Sequence, residues 1–178
     1  MRTLLLLMPF LLAVSDNGPA QADDAVPPQA KMAVEAFRSL CAAAPRDYDA
    51  LVAQAEALKF EPLSDGLRHQ AGGITIRDQE WRGGTDEAHF DFSVNEMKNP
   101  RNRSEACNIT VYDVDVEPIR NQLISTLRLQ GTPEERHIGS STTYSWTLTG
   151  RPDTRVFLNT GSLAGKRTAR ISAIFNIF

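Results

Sequence analysis

The side chains of this chain that are able to act as metal ligands or general bases are few and far apart. His69, His89 and His137 are the only histidines, and each lies in a different segment. Metal sites use two to four converging nitrogen, oxygen or sulfur ligands, usually with a closely spaced pair among them, and no such pair occurs here. We therefore predict no metal site.

Nucleophilic chemistry has no recognisable signature either. The sequence lacks the Gly-x-Ser-x-Gly pattern that presents a serine on a sharp turn, and Ser140, Ser141 and Ser162 lie in polar segments typical of loops. The members of a catalytic triad meet only in space, so the order of residues does not decide against an enzyme. We predict no catalytic residue and keep an enzyme as the alternative.

Two further patterns resemble functional motifs without meeting their requirements. Residues 161–168 place two glycines before a lysine, but the glycines are one residue too close for a phosphate-binding loop, and Arg167 separates the lysine from the threonine. Asp113 and Asp115 suit acid–base chemistry only inside a cleft, and Asp115 is better explained as a helix cap. We predict no cofactor.

The N-terminus predicts export. Met1 to Thr3 carries a positive charge, Leu4 to Val14 is an apolar run of eleven residues, and Ala20-Gln21-Ala22 is a small-x-small cleavage site. Eleven residues fall short of the roughly 20 that a membrane-spanning helix needs. We predict a signal peptide over residues 1–22, cleaved after Ala22, a periplasmic or secreted mature chain, and no transmembrane segment after cleavage.

The length of the mature chain suits one domain. Removing 22 of the 178 residues leaves 156, which is enough to bury a substantial core. The acidic and proline-containing residues 23–29 predict a flexible leader. We therefore predict a single domain over residues 30–178.

The hydrophobic pattern of this domain indicates two helices, three strands, a third helix and three more strands, in the order ααβββαβββ. Asp47 is a candidate N-cap of the second helix. Short connections favour antiparallel neighbours, and helices with one apolar face collect on one side of a sheet. The predicted fold class is α+β, a two-layer sandwich with a mostly antiparallel sheet of about six strands and helices on one face.

The centre of the predicted fold is the segment from Ser104 to Gly131. Cys107 and Ile109 alternate with polar residues as in a half-buried strand, and Asp115 is placed to cap the helix that follows. The other cysteine, Cys41, falls in the first predicted helix. Because two cysteines in an exported chain favour one disulfide, we predict a bond between Cys41 and Cys107 that joins this helix to the central strand.

Two groups of residues are candidates for binding. Trp81 stands beside Gly83-Gly84, a pair that predicts a turn, and an exposed indole often serves recognition. Basic residues near the last two predicted turns suit an anionic partner. They are Arg151, Arg155, Lys166, Arg167 and Arg170. Without interleaved aromatic residues, and on an exported chain, they do not indicate binding to nucleic acid.

About half of the mature chain contains a set of helix-packing and cysteine positions that is similar to one found in other proteins. These positions are Val34 to Cys41, then Leu51, Ala55, Leu58 to Phe60 and Pro62 after Pro45, and Cys107 in a strand that runs into a helix. In these positions the chain resembles a group of small, uncharacterised exported proteins of proteobacteria with one disulfide. The resemblance implies a periplasmic location and no activity, so it assigns no site residue.

These observations favour a non-enzymatic periplasmic module that binds a protein or an anionic envelope component. A specific form of this hypothesis is an inhibitor or immunity-type protein that docks through residues 81–87 or 151–155. The alternative is a small-ligand-binding protein or an enzyme with a pocket between sheet and helices, in which Arg77, His89 or Asp91 would face the cavity.

Overall fold

The computed structural model describes residues 26–43, 47–86, 88–163 and 165–177. The predicted signal peptide and residues 23–25 of the predicted leader lie outside these residues. The elements of the first half are α1 (Pro28–Phe37) with a π-helical continuation over Arg38–Ala42, α2 (Tyr48–Ala57), β1 (Glu61–Pro62), β2 (Leu67–Ala71), β3 (Ile74–Gly84), β4 (His89–Lys98) and β5 (Arg103–Tyr112). Those of the second half are α3 (Val116–Thr126), β6 (Leu129–Ile138), β7 (Ser141–Leu148), β8 (Arg151–Leu163) and β9 (Lys166–Ile177).

The nine strands of the described chain form one antiparallel sheet in the order β1-β3-β4-β5-β9-β8-β7-β6, and β2 pairs with β3 beside β1. The prediction of about six strands in the order ααβββαβββ was therefore wrong. The observed order is two helices, five strands, one helix and four strands.

The strands that the prediction missed are β1, β2 and β6, which lie at the two edges of the sheet. Every residue of β2 is exposed, and β6 is exposed along nearly all of its length. Apolar and polar residues alternate only where one side of a strand is buried and the other is not. A strand exposed on both sides leaves no such pattern, and its polar sequence is typical of a loop.

The turn predicted at Gly83-Gly84 is also displaced. Strand β3 runs through both glycines, and the chain reverses after them, where the Thr85 amide donates to the Ala88 carbonyl at 2.8 Å. Gly83 serves close packing instead, because a Cβ there would lie 2.6 Å from Cζ of Phe90. A glycine inside a strand often marks such a close approach.

The register sorts the strand side chains into two faces, because directly paired residues of neighbouring strands point to the same side. One face carries apolar rows, such as Val94, Cys107, Ala173, Val156 and Trp146, which are all buried. We call it the helix-covered face.

The opposite side, which we call the open face, carries polar rows. One such row crosses five strands as Arg82, Asp91, Thr110, Arg170 and Asn159. The described helices contact the other side: α1 lies against β5 and α3, and α2 against β4.

The helices bury their apolar residues against the helix-covered face. In α1 these include Val34 and Phe37, and in α3 Ile119 and Leu123, all without exposed surface. A predicted cap of α2 is confirmed, since Asp47 accepts a hydrogen bond from the Ala50 amide at 3.1 Å.

The cap predicted for α3 is not formed by its side chain. Asp115 occupies the N-cap position without a side-chain hydrogen bond to the helix, and its carboxylate pairs with Arg167 instead. The Asp115 carboxylate, which was predicted to accept from the helix amides, therefore binds Arg167 instead.

The predicted disulfide is confirmed. Cys41 and Cys107 are bonded, with their Cα atoms 5.4 Å apart and no exposed surface on either residue. The bond joins the π-helical end of the first helix to β5, which together with β9 forms the middle of the sheet. The helical layer is thus covalently tied to the centre of the helix-covered face.

Candidate functional site

Several polar side chains of the open face are removed from solvent. Asp91, Asn108, Thr110, Ser145 and Ser172 are all buried, with 5–7% of each residue exposed. Burial of polar groups is tolerated when they hydrogen-bond to one another. The open face is therefore an ordered polar surface.

A carboxylate at one end of this face is held by two partners. The Tyr112 hydroxyl donates to Asp91 Oδ2 at 2.6 Å, and Arg82 Nε donates to Asp91 Oδ1 at 3.2 Å. Burial, together with the hydrogen bond and charge of Asp91, raises the pKa of Tyr112 to about 12. The phenol therefore stays protonated and keeps donating to Asp91 at neutral pH.

A second network occupies the middle of the open face. The Asn108 amide nitrogen donates to Asn95 Oδ1 at 2.8 Å and to the Ser93 hydroxyl at 3.1 Å, and Asn95 in turn donates to Asp78 at 2.6 Å. This chain of donors fixes the orientation of each amide. The donor and acceptor positions of these amides are consequently defined.

Two carboxyl groups near this network are desolvated. Burial raises the pKa values of Asp78 and Glu80, and the positive charge of Arg170 opposes both shifts. Arg170 itself is exposed, and its Nε donates to the Thr110 hydroxyl at 3.2 Å. An arginine thus projects from the middle of the face between acidic residues.

The far half of the open face repeats this mixture of polar groups. Arg155 Nη2 donates to the Ser145 hydroxyl at 3.1 Å and to Glu134 at 3.4 Å, and its guanidinium carbon lies 5.9 Å from the centre of the Phe157 ring. With Thr143 these residues line a shallow depression of about 300 Å³.

One end of the open face carries an apolar patch. Leu67, Ile74, Ile76 and Met97 are 70%, 40%, 42% and 45% exposed. Ile76 and Met97 are directly paired across β3 and β4, Ile74 lies two residues before Ile76, and Leu67 pairs with Asp78 on the same face. We call these four residues the apolar patch.

The helix-covered face ends in an ion-pair network near the start of α2. Glu96 pairs with Arg77 Nε and Arg103 Nε, both at 2.6 Å, and Arg103 also pairs with the buried Glu105. Burial disfavours the charged form of Glu96, but the two guanidinium groups outweigh it and hold its pKa below the ordinary value. For Glu105 burial prevails over Arg103, and its pKa is raised. Arg77 stacks on Tyr48, 4.0 Å from the ring centre.

This network lines a cleft of about 570 Å³ that includes Arg77, one residue of the alternative ligand-binding hypothesis. A different cleft, of about 520 Å³, contains Arg82, His89 and Tyr112 at the other end of β3 and β4. We call it the Arg82 cleft. Asp91 lies behind it as the partner of Arg82 and Tyr112. The three residues of that hypothesis therefore do not share one cavity.

Trp81, the aromatic candidate for recognition, is a core residue. It is 2% exposed, and its ring stacks on Phe92 with centroids 5.4 Å apart. The expectation of an exposed indole at a turn was wrong because β3 continues past it and turns its side chain toward the helix-covered face. Of the two predicted docking segments, residues 81–84 and 151–155 belong to strands.

The basic candidates do not form one cluster. Arg151 donates to the Ala42 carbonyl at 2.7 Å and so holds the end of the first helix. Lys166, 3.9 Å from Asp113, and Arg167 lie at the β8–β9 hairpin. Arg155 and Arg170 lie on the open face. The residues are close in sequence, but the positions they occupy along β8 and β9 place them in separate parts of the structure.

The histidines also remain apart. His69 is exposed on β2, His89 lines the Arg82 cleft, and His137 Nε2 lies 3.1 Å from Glu135 on β6. No group of three or more His, Cys, Asp or Glu side chains in the described ranges is arranged to hold a metal ion.

Sequence reasoning missed Arg82, Tyr112 and Glu80 as parts of a site. The available clue is the alternation of polar and apolar residues along the strands, as at Asp91 in β4. This alternation shows which side chains point away from the core. Only the cross-strand register shows which of them meet.

Within the described ranges, none of the helices has the length and apolarity needed to cross a membrane. Comparisons with protein-family models, with characterised proteins and with solved structures found no match to this chain. Function must therefore be inferred from the residues themselves.

Proposed function

We propose that this chain is a non-enzymatic binding module of the periplasm that binds another protein through the open face. The observation that carries this proposal is the apolar patch beside the polar rows. Exposed apolar side chains that lie together mark interaction sites, whereas singly scattered ones do not. Protein interfaces typically combine an apolar centre with a polar rim.

The charges of the open face favour a protein over a strongly anionic envelope component. Its rows carry basic and acidic side chains in equal number among the described residues. They are Arg82, Arg136, Arg155, Lys166 and Arg170 against Glu61, Asp78, Glu80, Asp91 and Glu134. A balanced surface does not attract a polyanion at long range, but it offers specific pairs to a protein of matching pattern.

A recognition role also agrees with the ion pairs that orient two arginine side chains of the open face. Arg82 pairs with Asp91 and Arg155 with Glu134, so both arginines have a carboxylate partner on the same face. The periplasmic location is supported by the signal-peptide pattern and by the disulfide, because disulfides persist in oxidising compartments. An inhibitor or immunity-type protein is one form of such a module.

Site-specific photo-crosslinking tests the proposal. A benzoylphenylalanine replaces Met97 in the apolar patch or, as the control, Ile124, which is 44% exposed on α3. We expect irradiation of periplasm to yield one discrete protein adduct from position 97 and none from position 124. The additional substitution Ile76→Lys should abolish that adduct.

Equal adducts from both positions, or none from position 97, would contradict the proposal. An adduct with a glycan, a lipid or a second copy of this chain would place a different partner on the patch. Either result would overturn the assignment of a foreign protein to this surface.

A further inference from the structure

The Arg82 cleft lies apart from the apolar patch and shares no residue with it. It is formed where β3, β4 and β5 meet the β8–β9 hairpin and the start of α1. Its volume is about 520 Å³, within the range of small-molecule sites. Its lining residues are Gln29, Arg82, His89, Tyr112, Asp113, Leu163 and Lys166.

The guanidinium of Arg82 is oriented from behind by a buried carboxylate. The Asp91 side chain is 6% exposed, and one of its oxygens accepts from Arg82 Nε while the other accepts from the Tyr112 hydroxyl. Arginine has five N–H donors in a fixed planar fork. With Nε engaged, neither amino group of Arg82 is hydrogen-bonded to a described residue, and the side chain is 44% exposed.

Further cationic and donor groups line the same cleft. Lys166 is 65% exposed and lies 3.9 Å from Asp113, a separation too long for a hydrogen bond. His89 is half-buried there and also lines an adjacent cleft of about 530 Å³. Asp91 lies behind Arg82 and is not among the residues that line the cleft. The lining itself presents Arg82 and Lys166 against one carboxylate, Asp113.

We propose that the Arg82 cleft binds a small organic molecule through a carboxylate or phosphate group. The planar fork of Arg82 matches the paired oxygens of either group, and Lys166 supplies a second positive charge. The volume exceeds that of a simple ion, and Leu163 offers apolar contact to the body of the ligand. Arg82 also belongs to the open face, but the cleft and the apolar patch share no residue, so ligand binding in the cleft and crosslinking at the patch can be tested independently.

Titration of ¹⁵N-labelled mature protein followed by NMR tests the site. The probes are succinate for the carboxylate and glycerol 3-phosphate for the phosphate monoester, each at constant ionic strength kept with chloride. We expect saturable shifts confined to residues around positions 82, 89, 112 and 166 with at least one probe. The probe that saturates identifies which of the two groups the site prefers.

Two variants and a control sharpen the measurement. Lys166→Gln leaves the Asp91 network in place and should weaken binding about tenfold, the loss expected for one charge-assisted contact. Arg82→Gln should weaken it further, and its folding is checked by its amide spectrum. Arg101→Gln, an exposed arginine in the loop between β4 and β5, should leave affinity unchanged.

Failure of both probes to saturate would overturn the proposal. Shifts spread over all basic residues, or an equal loss of affinity in Arg101→Gln, would show general ionic attraction and would overturn it too. Neither result changes the crosslinking expected at position 97, so the proposals for the cleft and for the apolar patch are tested separately.

Discussion

Ile171 and Ser172 are consecutive residues of β9, and both are buried, yet they belong to opposite faces of the sheet. Ile171 packs among apolar residues beneath the helices, whereas Ser172 lies among polar side chains on the open face. Similar burial thus has different energetic consequences on the two faces. On the helix-covered face it removes apolar surface from water, which stabilises the fold.

On the open face burial instead desolvates polar groups, which must be compensated by hydrogen bonds and contributes little net stability. If the open face binds a partner as proposed, stability and recognition depend on opposite faces of one sheet. Substitutions of apolar residues on the helix-covered face should have the larger effects on the free energy of unfolding, whereas those on the open face should mainly change binding.

The largest effect expected on the helix-covered face is that of the disulfide. Closing the 66-residue separation between Cys41 and Cys107 stabilises the fold by about 4 kcal/mol in the chain-entropy model. Cys41→Ser and Cys107→Ser should each lose about this amount in urea unfolding, and the double variant no more. A double variant clearly less stable than either single one would show that the two sulfurs act independently.

The comparison of faces is sharpest at the neighbouring pair in β9. Ile171→Ala should lower the free energy of unfolding by about 3 kcal/mol, because it leaves a cavity in a fully buried apolar site. Ser172→Ala is the matched control and should change it by less than about 1 kcal/mol. Similar losses in urea denaturation would contradict the division into two faces.

Two glutamates on opposite faces should respond to pH in opposite directions. The pKa of Glu96 is lowered, so the folded state binds fewer protons than the unfolded state between the lowered and the ordinary pKa. Its contribution to stability is present above the ordinary pKa and is lost as pH falls through the lowered one. Glu96→Gln should therefore cost about 3 kcal/mol at pH 7 and progressively less in acid.

Glu80 has a raised pKa, so the folded state binds more protons than the unfolded state between the ordinary and the raised pKa. Stability is expected to fall as pH rises through that window. Glu80→Gln should remove this loss and be slightly more stable than the parent at pH 7, with no difference below the ordinary pKa. Urea unfolding at a series of pH values measures the stability of each variant relative to the parent. If this stability difference changed with pH in the same direction for Glu96→Gln and Glu80→Gln, the opposite pKa shifts of the two glutamates would be contradicted.

A small effect is expected from the loss of a single hydrogen bond on the open face. Tyr112→Phe removes the 2.6 Å bond to Asp91 and should cost about 1 kcal/mol. Tyr144→Phe, on the helix-covered face, is the control, because the Tyr144 hydroxyl makes no hydrogen bond to the described residues. Equal unfolding free energies for both variants would indicate that the Asp91 contact adds nothing to stability.

Local sequence patterns were sufficient to predict several features of this protein. The cysteine count in a chain with an export pattern predicted the Cys41–Cys107 bond, and the position of Asp47 before an amphipathic segment predicted the cap of α2. The alternation of Cys107 and Ile109 predicted the central strand. These features depend on the chemistry of individual residue types, namely thiol oxidation and helix capping, and on the period of two in a strand with one buried side.

The tertiary structure alone decided the rest. The width of the sheet depends on edge strands such as β2, whose residues are exposed on both sides and so carry no periodicity. The burial of Trp81 depends on how far β3 continues. The meeting of Arg82, Asp91 and Tyr112 depends on the register of three strands, since residues far apart in sequence become neighbours only when those strands pair.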